Sequence, residues 1–332
     1  MDIDYLLSLQ EFRNGSGGIL SDFFSKMTFL GELNTALVVM AILYWCVHKE
    51  LGTFLLMGFG GNRLVNGVLK ITACIYRPWI RDARIAPPAN VLATATGYSF
   101  PSGHSMNAAS LFGGGALRKE LPWVCRILLV ILMLLVAFSR NYLGVHTPQD
   151  VVVGMAAGVL EMWLMLRAMR WIAAHPEKDW WTAAAGLFLC AAVAVYALVK
   201  SFPEDYDAEG KLIVEGAKMA NDTFKGVGYA AGIFSGWLLE RRLVGFSTEA
   251  SLPVKLTRGV TGLLGYYIVS LICVPLIKKI PGPAGTLLSC FLQTFWILFL
   301  FPLCVRFFEK RMPEGKNVRK EEGALCREKQ EA

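Results

Sequence analysis

Charged residues are scarce in this chain of 332 residues. They make up 18% of the sequence, whereas hydrophobic residues make up 55% and the mean hydropathy is +0.46. Soluble domains typically contain about 25% charged residues. The composition therefore excludes a disordered chain, a collagen or a coiled coil as a description of the whole. It predicts an all-α polytopic bundle embedded in a membrane.

Motifs for disulfides, metals and nucleotides are also missing. The eight cysteines form no Cys-x-x-Cys pair, and most of them lie in apolar stretches, where cysteine behaves as a small hydrophobic residue. This pattern argues against a disulfide framework or a zinc site. No Walker A, His-Glu-x-x-His or EF-hand pattern occurs either. We therefore expect neither a metal nor a cofactor.

The net charge of +7 first suggests a nucleic-acid partner. The basic residues are dispersed at the ends of apolar runs, however, which is how membrane proteins distribute cations. We expect no nucleic-acid partner, and the sequence makes no prediction of the oligomeric state.

Apolar runs long enough to cross a membrane recur along the chain. A spanning helix needs about 20 mostly apolar residues, and we predict about nine spans. They are Leu33–Val47, Gly52–Lys70, Pro101–Leu117, Arg126–Ser139 with its leading Leu121-Pro122-Trp123, Val151–Trp171, Trp180–Val199, Phe224–Leu239, Gly259–Ile277 and Ile280–Val305. Lysine and arginine accumulate at the ends that share a side with His48-Lys49-Glu50, so this side is expected to be cytoplasmic. The N-terminus is then outside, the C-terminus is cytoplasmic, and the membrane is expected to be the plasma membrane.

The chain divides into five predicted regions. They are an outer N-terminal segment (1–32), a membrane core (33–200), an outer loop with six acidic residues against two lysines (201–222), three additional spans (223–308) and a charged cytoplasmic tail (309–332). In the first region we expect no cleavable signal peptide. Ile19–Leu30 is predicted either to lie at the outer interface as an amphipathic helix or to pack on the bundle as an ordinary helix.

Three polar clusters interrupt the apolar pattern, and the predicted topology brings all three to the outer boundary. The clusters are Lys70-Ile71-Thr72-Ala73-Cys74-Ile75-Tyr76-Arg77-Pro78, Pro101-Ser102-Gly103-His104, and Ser139-Arg140 followed by His146 and Asp150. Each has an ordinary structural explanation when taken alone. Lys70 and Arg77 fit cations that reach the interface from a helix end. Ser102 and Asp150 fit helix caps.

Together, the three clusters supply what a metal-free phosphoryl-transfer site needs. Arginine offers a planar fork that matches phosphate oxygens, and free N–H groups at a helix start favour an anion. A histidine with a carboxylate one helical turn away can attack phosphorus, because the carboxylate orients the ring and stabilises the imidazolium. A second histidine can give a proton to the leaving oxygen.

In this order, Lys-x6-Arg-Pro, Pro-Ser-Gly-His and Ser-Arg-x5-His-x3-Asp resemble the signature of the type 2 phosphatidic acid phosphatase family. That family includes lipid phosphate phosphatases, undecaprenyl-diphosphate phosphatases, glucose-6-phosphatases and vanadium haloperoxidases. All signature positions match, within residues 70–150. The resemblance implies a six-helix phosphatase-type core and a phosphohistidine intermediate formed without a metal. The predicted nine spans, with the N-terminus outside, are similar to the glucose-6-phosphatase branch, whereas the usual lipid phosphatases have six.

The resemblance also implies a role for each signature residue. Phosphate would be bound by Lys70, Arg77, Ser102, Gly103 and Arg140, with His104 as general acid, His146 as nucleophile and Asp150 as the partner of His146. Phosphate or vanadate is the expected ligand of the site. We expect hydrolysis of a membrane lipid phosphate or an isoprenyl diphosphate, because a site at the bilayer boundary can receive a headgroup while the chain stays in lipid.

Three alternative functions remain open from the sequence. A soluble sugar-phosphate phosphatase would share every catalytic residue, and the span count favours it. A phosphotransferase would pass the phosphoryl group to an alcohol. A transporter is the non-enzymatic alternative, although the inverted repeats that would support it are not seen.

Two charged residues fall well within predicted spans and outside the signature. Arg63 lies seven residues inward from Lys70, and Glu161 lies eleven residues inward from Asp150, so their predicted depths are comparable. Charges inside a membrane are costly and are usually paired. We therefore expect a structural ion pair between Arg63 and Glu161.

Overall fold

A computed structural model describes residues 1–16, 18–92 and 95–309, and throughout this part of the chain the regular structure is helical. The helices are α1 (Asp2–Gly15), α2 (Ile19–Phe29), α3 (Leu33–Ile42), α4 (Lys49–Ala73), α5 (Pro78–Arg81), α6 (Ala89–Leu92), α7 (Gly103–Ala108), α8 (Gly114–Ala116), α9 (Trp123–Tyr142), α10 (Pro148–Ala174), α11 (Asp179–Val199), α12 (Gly216–Leu239), α13 (Leu252–Ile268), α14 (Val274–Ile277), α15 (Pro283–Phe295) and α16 (Phe301–Glu309). Short π-helical turns prolong α3, α12, α13 and α15 and join α7 to α8. The predicted tail, from residue 310 onward, lies outside the described residues.

Five helical segments are long and apolar enough to cross a membrane. They are Trp123–Tyr142, Pro148–Ala174, Pro176–Val199, Leu252–Ile277 and Pro283–Phe308. A sixth span results if α2 and the segment Leu33–Val47 are taken as one element bent by 56°. The chain is therefore an integral membrane protein with five or six candidate spans in its described residues, and the prediction of about nine spans is not confirmed.

The difference arises from helices inside the bundle. Helix α4 has thirteen buried residues, and α12 is buried along most of its length, so neither has to present an apolar surface to lipid. Polar residues such as Asn62 and Asn66 are tolerated in α4 because they are buried against neighbouring helices. The segment predicted as the span Pro101–Leu117 is helical only over Gly103–Ala116, which is too short to cross a bilayer.

Helix α12 occupies the centre of the bundle, where it packs against α4, α11 and α15. It approaches α15 closely through two glycines: a Cβ on Gly228 would collide with the backbone of Leu287, and one on Gly232 with Phe291. Thr294 closes the contact by donating to the carbonyl of Tyr229 at 2.9 Å. The helix begins at Gly216, within the segment predicted as an acidic loop, so the last part of that predicted loop is helical.

The N-terminal helices pack on the bundle beside α9. The ring of Phe24 in α2 lies 5.3 Å from that of Phe138 and 4.4 Å from that of Tyr142, between ring centroids. Arg13 of α1 is buried and donates to the carbonyls of Tyr142 at 3.2 Å and Ala86 at 2.6 Å. Helix α2 is therefore packed on the protein along one face.

The two ends of the bundle differ in chemistry. At one end, α4 and α9 finish and α7, α10 and α12 begin, which brings the three polar clusters together. At the other end, the Lys49 ammonium lies 2.7 Å from the buried Glu240 carboxylate, and Arg241 pairs with Asp179 at 3.2 Å. The basic residues that were predicted to share one side of the membrane thus lie at the end opposite the clusters.

Candidate active site

Arg77 is fixed in the loop that follows α4. The helix ends at Ala73, and its C-cap, Cys74, adopts a left-handed conformation with φ of 49°. The guanidinium of Arg77 is buried and donates to the carbonyls of Gly97 (3.1 Å), Thr96 (3.0 Å) and Val145 (3.0 Å). Burial lowers the pKa of Arg77 to about 10, so it remains a cation at neutral pH. Its Nη1 also lies 2.8 Å from Nε2 of His146.

His146 and Asp150 lie on either side of the start of α10. Thr147 is the N-cap: its hydroxyl accepts from the N–H of Asp150, and Oδ2 of Asp150 accepts from the N–H of Thr147 at 2.8 Å. The same Oδ2 lies 3.3 Å from Nδ1 of His146. Asp150 therefore caps the helix and contacts the histidine with a single carboxylate oxygen, so the capping and partner interactions occur together.

A third group holds this carboxylate in place. The hydroxyl of Ser99 donates to Oδ2 of Asp150 and lies 3.4 Å from Nδ1 of His146. The side chains of Ser99, His146 and Asp150 are almost completely buried. Ser99 lies outside the sequence clusters, and no pattern of spacing identified it. The one available signal was its position three residues before Ser102, in a loop that joins two of the clusters.

The contacts of its two ring nitrogens assign the tautomer of His146. Nδ1 faces the acceptor Asp150, and Nε2 faces the donor Arg77, so the neutral ring carries its proton on Nδ1. Burial, followed by the charges of Arg77, Arg140 and Lys70, lowers the pKa of His146 well below its ordinary value. The imidazole is therefore neutral, and Nε2 has the lone pair that a nucleophile needs.

The Pro101-Ser102-Gly103-His104 cluster forms the start of α7, as predicted for a cap. The Ser102 hydroxyl accepts from the N–H of Ser105 at 3.3 Å, and the N–H of Ser102 donates to the carbonyl of Asp150 at 3.0 Å. The second bond ties the start of α7 to the start of α10. His104 follows with its Nε2 buried and without a hydrogen-bond partner in the described part of the chain.

A cavity of about 220 Å³ joins these elements. Five of the predicted site residues line it: Lys70, Arg77, Gly103, His104 and His146. Ser102, Asp150 and Arg140 are buried and do not line it. Four residues of α12 complete the wall, and none of them was predicted from the sequence: Met219, Asp222, Thr223 and Lys225.

Arg140 lies close behind the cavity. Its Nη1 donates to the hydroxyl of Thr28 in α2, while Nε and Nη2 have no hydrogen-bond partner among residues 1–16, 18–92 and 95–309. Its carbonyl accepts from the N–H of His146 at 3.3 Å. Phosphate binding by Arg140 stays a prediction, with two free nitrogens available for it.

The predicted ion pair between Arg63 and Glu161 is wrong. Within the described residues, neither side chain has an ionic partner within 4.0 Å, and both Nε of Arg63 and Oε2 of Glu161 are buried without a hydrogen bond. The Glu161 carboxylate packs against Gly61 of α4, whereas Arg63 lines the cavity. Gly61 and Arg63 are two residues apart, about 200° around the helix axis, so the two charges lie on different faces of α4.

Two segments of the chain match known family models. Residues 51–174 match the PAP2 superfamily, and residues 224–311 match the PAP2 superfamily phosphatase transmembrane extension. The first segment contains every residue of the predicted signature, and the second contains most of α12.

Curated proteins similar to this chain include several phosphatases. Phosphatidylglycerophosphatase B of Bacillus subtilis is 38% identical over 158 residues, which are 44% of this chain and 73% of that protein. Lipid phosphate phosphatase delta of Arabidopsis thaliana is 26% identical over 49% of this chain and 41% of its own length. Undecaprenyl-diphosphatase of Sulfolobus acidocaldarius is 41% identical over 63 residues, 19% of this chain and 30% of that protein. No solved structure matches the chain.

Proposed function

The chain belongs to the PAP2 superfamily and is a phosphatase of that family, and from this premise we propose that it hydrolyses a membrane lipid phosphate or an isoprenyl diphosphate through a phosphohistidine. The observation that carries the proposal is the buried chain Ser99–Asp150–His146–Arg77, which faces the cationic cavity. We assign three roles to these residues and their neighbours: His146 as the oriented nucleophile, His104 as the second histidine, and the basic side chains of the cavity as the groups that hold phosphate.

The proposed first step transfers the phosphoryl group to His146. The step requires His104 in its protonated form. Nε2 of His146 attacks phosphorus, the bond from phosphorus to the leaving oxygen breaks, and the His104 imidazolium gives that oxygen its proton and becomes neutral. Asp150 stabilises the imidazolium that forms on His146. In the second step, water attacks the phosphohistidine and loses a proton to His104, which releases inorganic phosphate and restores both rings.

The hydrogen bond from Arg77 to His146 has to break before His146 can attack phosphorus. In the structure, Nη1 of Arg77 donates to the Nε2 lone pair of His146 at 2.8 Å, so the atom that would attack phosphorus is already hydrogen-bonded. A phosphate oxygen is a stronger acceptor for a guanidinium than a neutral imidazole is. We propose that the substrate takes over this hydrogen bond and thereby frees Nε2 at the moment when phosphorus arrives.

The size of the cavity supports a substrate that is only partly enclosed. Its volume of about 220 Å³ is below the ~300–1,000 Å³ of pockets that bury a whole drug-sized ligand. It suits a phosphorylated headgroup whose chain remains in the bilayer. The names of the relatives, which include phosphatidylglycerophosphatase and undecaprenyl-diphosphatase, support the same substrate class. We further propose that the cavity opens on the outer side of a plasma membrane, opposite the basic end of the bundle.

The decisive experiment is a substrate panel on the purified protein in detergent. Phosphate release is measured with phosphatidic acid, phosphatidylglycerophosphate, an isoprenyl diphosphate and glucose 6-phosphate. The proposal expects activity on lipid substrates, whereas activity confined to the sugar phosphate, or phosphate transfer to an added alcohol in preference to water, would overturn it. Metal independence is tested in the same assay, since activity should survive EDTA and be inhibited by vanadate. Loss in EDTA that Mg²⁺ or Zn²⁺ restores would contradict the metal-free mechanism.

A further inference from the structure

Arg63 is a charged residue of the cavity wall that lies outside the family signature. It stands on α4 two helical turns from Lys70, and both side chains line the same cavity. Nε of Arg63 is buried without a hydrogen bond. In the described part of the chain, the guanidinium has no ion pair either. Arg63 as a whole is only partly buried, but a buried donor of a cation that lacks a partner is costly, so a ligand that pairs with it gains the interaction that the protein does not supply.

The charge of the cavity exceeds what one phosphate requires. Its lining contains four cationic side chains, Arg63, Lys70, Arg77 and Lys225, and one carboxylate, Asp222. Lys225 and Asp222 neutralise each other, because Nζ lies 2.6 Å from Oδ1. Three basic side chains, Arg63, Lys70 and Arg77, are left without a carboxylate in the lining, and a bound anion favours the charged form of Lys70 among them. A phosphomonoester carries a charge of about −1.5 to −2.

We propose that Arg63 binds a second phosphate group of the substrate, one that is not transferred to His146, and that it thereby determines specificity. The inference rests on the proposed function and narrows its substrate class to lipids with two phosphates. The second phosphate is joined to the first by an anhydride in an isoprenyl diphosphate, or through a glycerol in phosphatidylglycerophosphate. Phosphatidic acid and isoprenyl monophosphates lack it.

The test compares substrates with and without the second phosphate. Values of kcat/KM are measured for farnesyl diphosphate against farnesyl monophosphate, and for phosphatidylglycerophosphate against phosphatidic acid. The variants are Arg63→Met, Arg63→Lys and, as the matched control, Glu161→Gln, which changes an ionisable intramembrane side chain that does not line the cavity. The two substrate pairs distinguish an anhydride-linked phosphate from a diester phosphate.

We expect the wild type to prefer the substrate with two phosphates in at least one pair. In that pair, Arg63→Met should lower the preference about tenfold or more, the loss typical of hydrogen bonds to a charged group. Arg63→Lys keeps the charge and loses the planar fork of the guanidinium, so its ratio of kcat/KM values should lie between those of the wild type and Arg63→Met. Glu161→Gln should keep the wild-type ratio. If Arg63→Met lowers kcat/KM equally for both members of each pair, so that their ratio is unchanged, the role of Arg63 is overturned. Absence of activity on every lipid phosphate in the wild type would instead refute the proposed function.

A binding measurement covers the case in which Arg63→Met does not fold. Inorganic pyrophosphate and inorganic phosphate are compared as inhibitors of the wild type and of Arg63→Lys. The proposal expects pyrophosphate to inhibit the wild type more strongly than phosphate, and Arg63→Lys to reduce this difference. Equal inhibition by the two anions in the wild type would contradict a second phosphate site.

Discussion

Asp150→Asn separates the two interactions that one oxygen makes in the structure. Oδ2 of Asp150 accepts from the Thr147 N–H at 2.8 Å and from the Ser99 hydroxyl, and it lies 3.3 Å from Nδ1 of His146. An asparagine whose amide oxygen takes the place of Oδ2 can accept all three hydrogen bonds. It cannot supply the negative charge that stabilises an imidazolium on His146 in the transition state.

The size of the effect follows from the geometry. Two unit charges 3.3 Å apart attract each other by about 5 kcal/mol at an effective dielectric constant of ~20. Loss of that attraction in the transition state would lower kcat by up to about 5,000-fold. If only the difference between a charged and a neutral hydrogen bond is lost, ~1 kcal/mol, the decrease is about fivefold. Folding stability should change by only a few tenths of a kcal/mol, because asparagine caps a helix about as well as aspartate.

The assay measures kcat for phosphate release together with thermal unfolding of the purified variants. Asp150→Ala is the matched control, because it removes the cap as well and should lose a further ~1 kcal/mol of stability. A kcat of Asp150→Asn within twofold of the wild type, at unchanged stability, would leave Asp150 as a helix cap alone. That result would refute its role as partner of the nucleophile.

Two further predictions concern the histidines. His146→Ala should abolish hydrolysis of every phosphate ester. His104→Ala should lose lipid phosphate hydrolysis yet still form phosphohistidine with an activated aryl phosphate, whose leaving group needs no proton. Trapping of the covalent intermediate on His104 would reverse the two roles. The pKa of His146 is lowered by burial and by Arg77, so NMR of histidine-labelled protein should show its ring neutral at pH 6.5 and protonated more readily when vanadate is bound. The unfolded chain binds a proton on His146 more tightly than the folded chain does, so the free energy of unfolding should decrease as the pH falls below about 6.5. A His146 ring that is already half protonated at pH 6.5 without vanadate would contradict the assignment of a neutral ring.

The spacing of the signature predicted the centre of the site because each cluster adjoins a helix end. The contact between His146 and Asp150 follows from their separation of one helical turn, and the position of Ser102 follows from its capping of α7. Ser99 could not be found in this way. Its hydroxyl reaches Asp150 only because the loop before α7 folds back onto the start of α10, and a tertiary contact of this kind has no periodic signal.

The prediction for the intramembrane charges failed because depth along a helix does not specify direction around it. Counting residues placed Arg63 and Glu161 at similar depths, but α4 turns about 100° per residue. Gly61, on another face of the helix, receives the carboxylate of Glu161. The count of about nine spans is not confirmed: it included α4 and α12, which are enclosed by other helices and are not among the candidate spans in the described residues.

Because α12 lies at the centre of the bundle, the cavity is formed jointly by the first family segment and by a helix outside it. The signature residues come from the first segment, whereas one wall of their cavity is built by the helix that leads into the second. Three of the four α12 residues in that wall, Met219, Asp222 and Thr223, lie between the two family segments, and Lys225 lies in the second. Exchange of residues 216–225 between relatives would therefore change one wall of the cavity without altering His146, Asp150 or Arg77.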